Sequence, residues 1–215
     1  THLLSRIRAA GIRRVVLGTS FKAEVFEEHF GDGADLDLEI SYVGEAEPLG
    51  TGGGIRNVLP QLRASTVMVF NGDVLGGTDL LEILDMHHAR NADLTMHLVR
   101  VSDPRAFGCV TTDAEGRVEE FRREIIEQIP EGVPVSVERE TFPQLLAEDR
   151  RVYGFVDAAY WRDMGTPEDF VRGSADLVRG IAPSPALAGH AGESLVHDGA
   201  GIGAGAVLVG GTVVG

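Results

Sequence analysis

Two periods of apolar residues alternate along the chain, and they predict helices and strands in turn. His2 to Ala10 puts Leu3, Leu4, Ile7 and Ala10 on one helical face before Gly11 stops it. Val15-Val16-Leu17 reads as a short buried strand. Lys22 to Phe30 reads as an amphipathic helix with Val25, Phe26 and Phe30 turned inward, and Leu38 to Val43 alternates as a strand. The stretch that organises the rest is Thr66 to Asp73. Its run Val67-Met68-Val69-Phe70 predicts a strand buried on both faces, ended by the turn signal Asn71-Gly72, with Asp73 just past the carboxyl end. A helix follows from Thr78 or Asp79 to Arg90, and Leu94 to Val101 alternates as a strand. Val110 enters another strand, Asp113 to Gly116 is a hairpin turn, and Arg117 to Phe121 returns. Arg151 to Trp161 is strand-like and aromatic. Pro167 then begins a helix, Glu168 to Arg179, that Gly180 ends.

The pattern breaks at Phe121-Arg122, where a strand runs into the helix Arg122 to Ile129 with no turn residue between them. A stretch is expected to be missing at 121/122. Another helix, Val137 to Glu148, follows Pro134. The chain enters a helix straight after Thr1 and ends at Gly215 inside a periodic pattern, so both ends read as cut. Ile181 to Glu193, with Pro183, Pro185, Gly189 and Gly192, reads as a linker. Beyond it Ile202, Leu208 and Val214 recur every six residues, the spacing of a left-handed parallel β-helix coil. One coil of about 18 residues does not bury its ends alone, so further coils or a partner are expected to cover it. The predicted organisation is an α/β domain over 1–180, a linker over 181–194 and a first coil over 195–215.

Composition narrows the partners. The 215 residues are 43% hydrophobic, enough for one sizeable core or one domain with an appendage. No apolar run approaches the roughly 18 residues of a membrane span, and nothing resembles a signal peptide. The single Cys109 excludes an internal disulfide and a Cys-cluster zinc site, which fits a reducing cytoplasm. A net charge of −14 argues against a nucleic-acid partner, which would need basic patches. An acidic protein that binds nucleotides needs a metal to bridge like charges.

Candidate chemistry gathers at three stretches. Ligands bind at the carboxyl edge of open α/β sheets, and a carboxylate such as Asp73 there can hold Mg²⁺, which takes oxygen ligands and usually one or two from protein. Asp is also a good helix cap and a helix follows, so both readings of Asp73 stand on this stretch alone. Trp161-Arg162-Asp163-Met164-Gly165-Thr166-Pro167 puts a second carboxylate, Asp163, past a strand and before a helix. The third stretch runs from Glu45 through Leu49-Gly50-Thr51-Gly52-Gly53-Gly54 to Asn57. Its glycines predict a loop whose backbone approaches a ligand closely, followed by a helix over Ile55 to Leu62 whose first N–H groups suit an anion. Asp73 follows Gly52 by 21 residues, but Glu45, Glu47 and Pro48 precede the glycines where a dinucleotide fingerprint needs an apolar strand. Asp32, Asp35, Asp37 and Glu39 lack the EF-hand order and read as a solvated rim, and His87 and His88 as a solvated helix end.

Four motifs in order along nearly the whole chain resemble the sugar-1-phosphate nucleotidylyltransferases, most of all the bacterial mannose-1-phosphate guanylyltransferases. They are Glu47 to Gly54, Phe70-Asn71-Gly72-Asp73, Phe107-Gly108-Cys109-Val110 and Tyr160 to Pro167. The resemblance implies a Rossmann-like domain with a mixed, mainly parallel sheet and the start of a C-terminal β-helix. It implies transfer of a nucleotidyl group from GTP to mannose 1-phosphate, with thymidylyl or uridylyl transfer to glucose 1-phosphate as the alternative. Asp73 and Asp163 would hold Mg²⁺ and act in catalysis. Leu49, Gly50, Thr51, Gly52 and Gly53 would pack on the base and ribose, with Glu45 beside the base and Gly72 under the nucleoside; Gly108 would contact the sugar. A homo-oligomer built on the coil edge is expected. Two departures stand against this. The glycine-rich opening segment with its Lys, and the Glu-Lys pair and Asn-Ala-Gly strand that grip the sugar phosphate, have no counterpart here. A non-catalytic, sugar-nucleotide-sensing homologue is the rival that those departures raise.

Overall fold

In the computed structural model the described residues are 1–215 except 21, 46, 102–109, 122–140, 189, 191 and 215. In chain order they form α1 (His2–Ala9), β1 (Arg14–Thr19), α2 (Ala23–Phe30), β2 (Glu39–Gly44), α3 (Gly50–Val58), β3 (Val74–Gly76), α4 (Leu80–Ala89) and β4 (Leu94–Val99). There follow β5 (Val110–Thr112), β6 (Val118–Phe121), α5 (Thr141–Ala147), β7 (Val152–Asp157), β8 (Trp161–Asp163), α6 (Pro167–Val178), β9 (Ser194–Val196) and β10 (Thr212–Val214). Parallel pairs are β1–β2, β4–β7 and β9–β10; β3–β8 and β5–β6 are antiparallel. The expected mixed, mainly parallel α/β architecture is therefore present. The expected break at 121/122 and the helix over 122–129 lie outside the described residues.

Contacts divide the chain into two units, each assembled from separated stretches. One comprises 13–69 and 80–158. Here β1 and β2 run parallel in continuous register from Arg14 opposite Glu39 to Thr19 opposite Gly44. β4 and β7 do the same from Leu94 opposite Val152 to Val99 opposite Asp157, and Val152 is fully buried. Gly154 lets this pair close: a Cβ there would stand 2.5 Å from the Leu98 Cδ1 and 3.0 Å from the Thr112 Cγ2. The Arg151 backbone N–H donates to Asp93 at 3.0 Å, with the guanidinium against the same carboxylate.

Three expectations for this unit give way. The glycine run is not a loop: α3 begins at Gly50 and contains Thr51, Gly52, Gly53 and Gly54. Glycine's low helix propensity is a cost of about 1 kcal/mol per residue that local contacts override. The Leu49 N–H donates to the Glu45 Oε2 at 3.1 Å, tying down the start of the helix. A Cβ at Gly18 of β1 would lie 3.4 Å from Val58 on α3, so the helix rests closely on the strand. The second correction concerns Val67 to Phe70, which takes no strand form; burial alternates along it, and Val67 and Val69 are 43% and 55% exposed. The third is α2, where Val25 and Phe26 face outward, 52% and 42% exposed.

The other unit comprises 1–12, 70–79 and 159–215. Its core is Leu75 of β3, Leu177 of α6 and Ala182, packed with Tyr160, Met164 and Leu187. Leu4 and Ile7 of α1 are buried as their spacing predicts. α6 starts as its sequence dictates: Thr166 is the N-cap, Pro167 the first helical residue, and the Thr166 Oγ1 accepts from the Asp169 N–H at 3.1 Å. The Thr166 hydroxyl donates in return to the Asp169 carboxylate at 2.6 Å. Asp169 and Asp176 are two turns apart on one face, and the Arg162 guanidinium of β8 reaches both, at 3.2 Å each. The Tyr160 hydroxyl donates to Asp176 at 2.6 Å and accepts from the Arg162 Nε at 3.0 Å. Gly173 gives α6 its closeness to β8, since a Cβ there would meet the Met164 Sδ at 2.5 Å.

Residues 194–214 supply one parallel strand pair, Ser194 opposite Thr212. The expected inward positions Ile202 and Leu208 lie outside strands and are exposed. Gly211 sits at φ +85° against Ala175 of α6, and the Arg179 guanidinium donates to the Gly210 carbonyl at 2.8 Å. This stretch thus rests on the same helix that β8 grips from another side.

Thr166→Ala removes the cap and should lower unfolding free energy by about 1 kcal/mol in urea titrations, with Thr166→Ser close to wild type. The hydroxyl of Thr166, then the guanidinium of Arg162, hold the Asp169 carboxyl below its ordinary 3.8. A depressed carboxyl contributes stability that is present above 3.8 and lost as pH falls through the depressed value. Thermal melts should therefore show Asp169→Asn less stable than wild type at neutral pH, with the gap closing in acid.

Candidate active site

Asp73 and Asp163 come together in the backbone. Val74 and Asp163 are opposed Cα partners in β3–β8, and the Met164 N–H donates to the Asp73 carbonyl at 2.9 Å. Asp73 occupies a turn one residue ahead of β3, not the carboxyl end of a preceding strand. The Asp163 carboxylate lies over Gly165, where an added Cβ would be 3.4 Å from Oδ1 and 3.5 Å from Oδ2. Asp73 is exposed and Asp163 half-buried. Neither carboxylate takes a hydrogen bond or ion pair from a described residue. Gly72, next to Asp73, opens on free space: a Cβ there would meet nothing within 4 Å.

Strand alternation explains which way Asp163 is turned. Arg162 is drawn under α6 by Asp169 and Asp176, so its neighbour in the strand takes the opposite face. Burial first, then the hydrogen bond to Asp176, push the Tyr160 hydroxyl above its ordinary value, so it stays a donor. The bond from Arg162 to that hydroxyl is the main cause raising the guanidinium further, so it stays charged.

The Mg²⁺ implied by the resemblance can be tested against these residues. Two carboxylates with no protein donor, on adjacent backbone stretches and open to solvent on one side, suit a hard cation that keeps waters and takes phosphate oxygens. Among the described residues no group of three or more His, Cys, Asp or Glu that could hold a metal gathers, so the two carboxylates would hold the ion without an all-protein cage. The residues fit the ion.

The predicted nucleotide contacts Glu45, Leu49, Gly50, Thr51, Gly52 and Gly53 belong to the unit containing β1 and β2. Leu49 is the N-cap of α3 and Gly50 takes φ +70°, which glycine adopts freely. Glu45 is committed to this helix start: beyond its bond from Leu49, its Oε1 would lie 2.8 Å from a Cβ at Gly54. Gly108 lies outside the described residues. Sequence reasoning missed Tyr160, Arg162, Asp169 and Asp176. The available signal was the seven-residue spacing of the two aspartates, which puts them on one helical face.

Comparison with known proteins adds an independent line. Residues 1–123 match the Nucleotidyl transferase family. The chain is 63% identical to the mannose-1-phosphate guanylyltransferase of Mycobacterium tuberculosis, over the whole of this chain and 66% of that relative. It is 28% identical to mannose-1-phosphate guanylyltransferase 1 of Arabidopsis thaliana, over 96% of this chain and 65% of that one. The fold is similar to HddC from Yersinia pseudotuberculosis complexed with GMP-PN, with a TM-score of 0.63 and 26% identity over 79% of this chain and 81% of that one. The chain thus spans just under two thirds of the two curated relatives' length. The mycobacterial alignment covers 235 positions against 215 residues here, so that relative carries 20 positions with no counterpart. No helix among the described residues is long and apolar enough to cross a membrane. The family match over more than half its residues, together with the fold, shows that this chain belongs to the nucleotidyl transferase family.

Proposed function

We propose that the protein transfers a guanylyl group from GTP to mannose 1-phosphate, giving GDP-mannose and pyrophosphate. The observation that carries this reading is the 63% identity along the whole chain to a mannose-1-phosphate guanylyltransferase. A phosphate oxygen of mannose 1-phosphate bonds to the α-phosphorus of GTP, the bond from that phosphorus to the bridging oxygen breaks, and pyrophosphate leaves with the electron pair. That nucleophile is already ionised at pH 7, so no side chain has to remove a proton from it. The protein's work is positioning and charge neutralisation.

Asp73 and Asp163 hold Mg²⁺ in this reading, and the ion, when bound, neutralises charge on the phosphate oxygens. The start of α3 offers the nucleotide the backbone N–H groups of its first glycines and a small-residue surface over Gly50, Thr51, Gly52 and Gly53, with Leu49 packing on the base and ribose. Glu45 and Gly72 are assigned to the nucleotide and Gly108 to the sugar. The apolar residues exposed on 194–214, among them Val196, Val207 and Val209, support a homo-oligomer built on that surface. A cytoplasmic location goes with the single Cys109. A second reading, a non-catalytic sensor of sugar nucleotides, is favoured by the 20 relative positions with no counterpart, which we assign to the break at 121/122.

Purified protein with Mg²⁺ should release pyrophosphate from GTP and mannose 1-phosphate and not from dTTP, UTP or ATP, nor with glucose 1-phosphate. Silence with every pair, from folded protein that still binds GDP-mannose, would establish the sensor. Asp73→Ala should reduce turnover on the order of 10²-fold, the scale of one preorganised electrostatic group, with an unchanged thermal melt.

A further inference from the structure

Arg162 has no place among the ligand contacts assigned above, yet four features of the fold converge on it. Its guanidinium, 27% exposed, forks between Asp169 and Asp176 at 3.2 Å each. Its Nε donates to Tyr160. Met164, just past the end of β8, packs against the Cβ-free Gly173 of the same helix, where the Arg162 Cδ would also come within 3.4 Å of a side chain. Between Arg162 and Met164 stands Asp163, whose carboxylate makes no bond of its own to a described residue. A carboxylate with no direct partner owes its direction to the residues on either side of it. Both neighbours here are fastened to α6, and Met164 is also bonded through its N–H to Asp73.

We infer that Arg162 is a positioning residue for the Asp73–Asp163 pair: by locking β8 under α6 it fixes the direction and spacing at which the two carboxylates meet a divalent cation. The inference rests on the proposed role of those carboxylates. It concerns how the cation is held, not which nucleotide or sugar is used. Lysine does not replace it, because an ammonium is a point charge on a flexible stem and lacks the planar fork that holds Asp169, Asp176 and Tyr160 in one fixed geometry. Asp176→Asn weakens the same lock from the other side while keeping an acceptor for Tyr160.

The test is Mn²⁺ binding by electron paramagnetic resonance, with and without GTP and with no sugar phosphate, on the full chain. Arg162→Lys and Asp176→Asn should each weaken Mn²⁺ about tenfold, the usual effect of removing a group that orients a metal ligand. Arg172→Lys alters a neighbouring surface pair with Glu168 on the same helix and should leave Mn²⁺ binding unchanged. Cooperative thermal melts should persist in all three. Unchanged Mn²⁺ affinity in both lock variants would overturn the proposal. So would an equal loss in Arg172→Lys, loss of the cooperative melt in both lock variants, or a wild type that binds no Mn²⁺. Pyrophosphate release is measured separately: a wild type that binds Mn²⁺ but transfers nothing rejects the guanylyltransferase reading, and the Mn²⁺ comparison still decides the role of Arg162.

Discussion

One guanidinium gripping two carboxylates of a single helix fixes more of this site than any other contact. Surface ion pairs usually contribute little, because two flexible side chains must be held in one geometry against a high dielectric. Arg162 differs in three ways. It is partly buried, its planar donors are pre-shaped for two acceptors, and those acceptors sit on one rigid helix face. Its order is therefore imposed on β8. Because side chains alternate along a strand, fixing Arg162 under α6 fixes Asp163 on the other face.

The same helix couples that site to the end of the described chain. Asp169 and Asp176 serve β8, while Ala175 and Arg179 meet Gly211 and Gly210. A helix moves as a unit when its backbone bonds are intact. Any displacement of residues 194–214 that carried α6 with it would have to rearrange either the Arg162 fork or the close approach of Met164 to Gly173. That is a mechanical constraint of the fold, and it leaves the geometry of Asp73 and Asp163 dependent on packing well outside the two carboxylates.

Much of this was legible in the sequence. α1 and α6 followed from apolar spacing and from Pro167 and Gly180, and two short motifs pointed to Asp73 and Asp163, whose backbones the fold sets side by side. The failures have physical causes. Four glycines within five residues argue for a loop only if nothing else holds them. Here the Glu45 carboxylate secures the helix start, and the bare Gly18 lets Val58 settle on β1. The apolar run Val67 to Phe70 predicts two-sided burial, whereas alternate residues lie exposed. Arg162 was invisible because an arginine ahead of a helix and two aspartates along it have the composition of a solvated face; only the fold brings the three together.

The charge balance of the Asp73–Asp163 unit gives that geometry its consequence. The unit contains five arginines and no lysine. Arg6 donates to the Thr78 carbonyl, Arg162 holds Asp169 and Asp176, Arg172 pairs with Glu168, Arg179 pairs with Glu193, and Arg8 is also engaged. No arginine of this unit is left over to meet a triphosphate, while Asp73 and Asp163 take no hydrogen bond or ion pair from a described residue. On its own the unit would repel a polyanion. A cation shared by Asp73 and Asp163 would reverse the sign of the field at that point, and attraction would then depend on how closely both carboxylates converge on one ion. On the proposed role of the two carboxylates, the direction of Asp163, set through Arg162, would govern whether an acidic surface holds an acidic ligand.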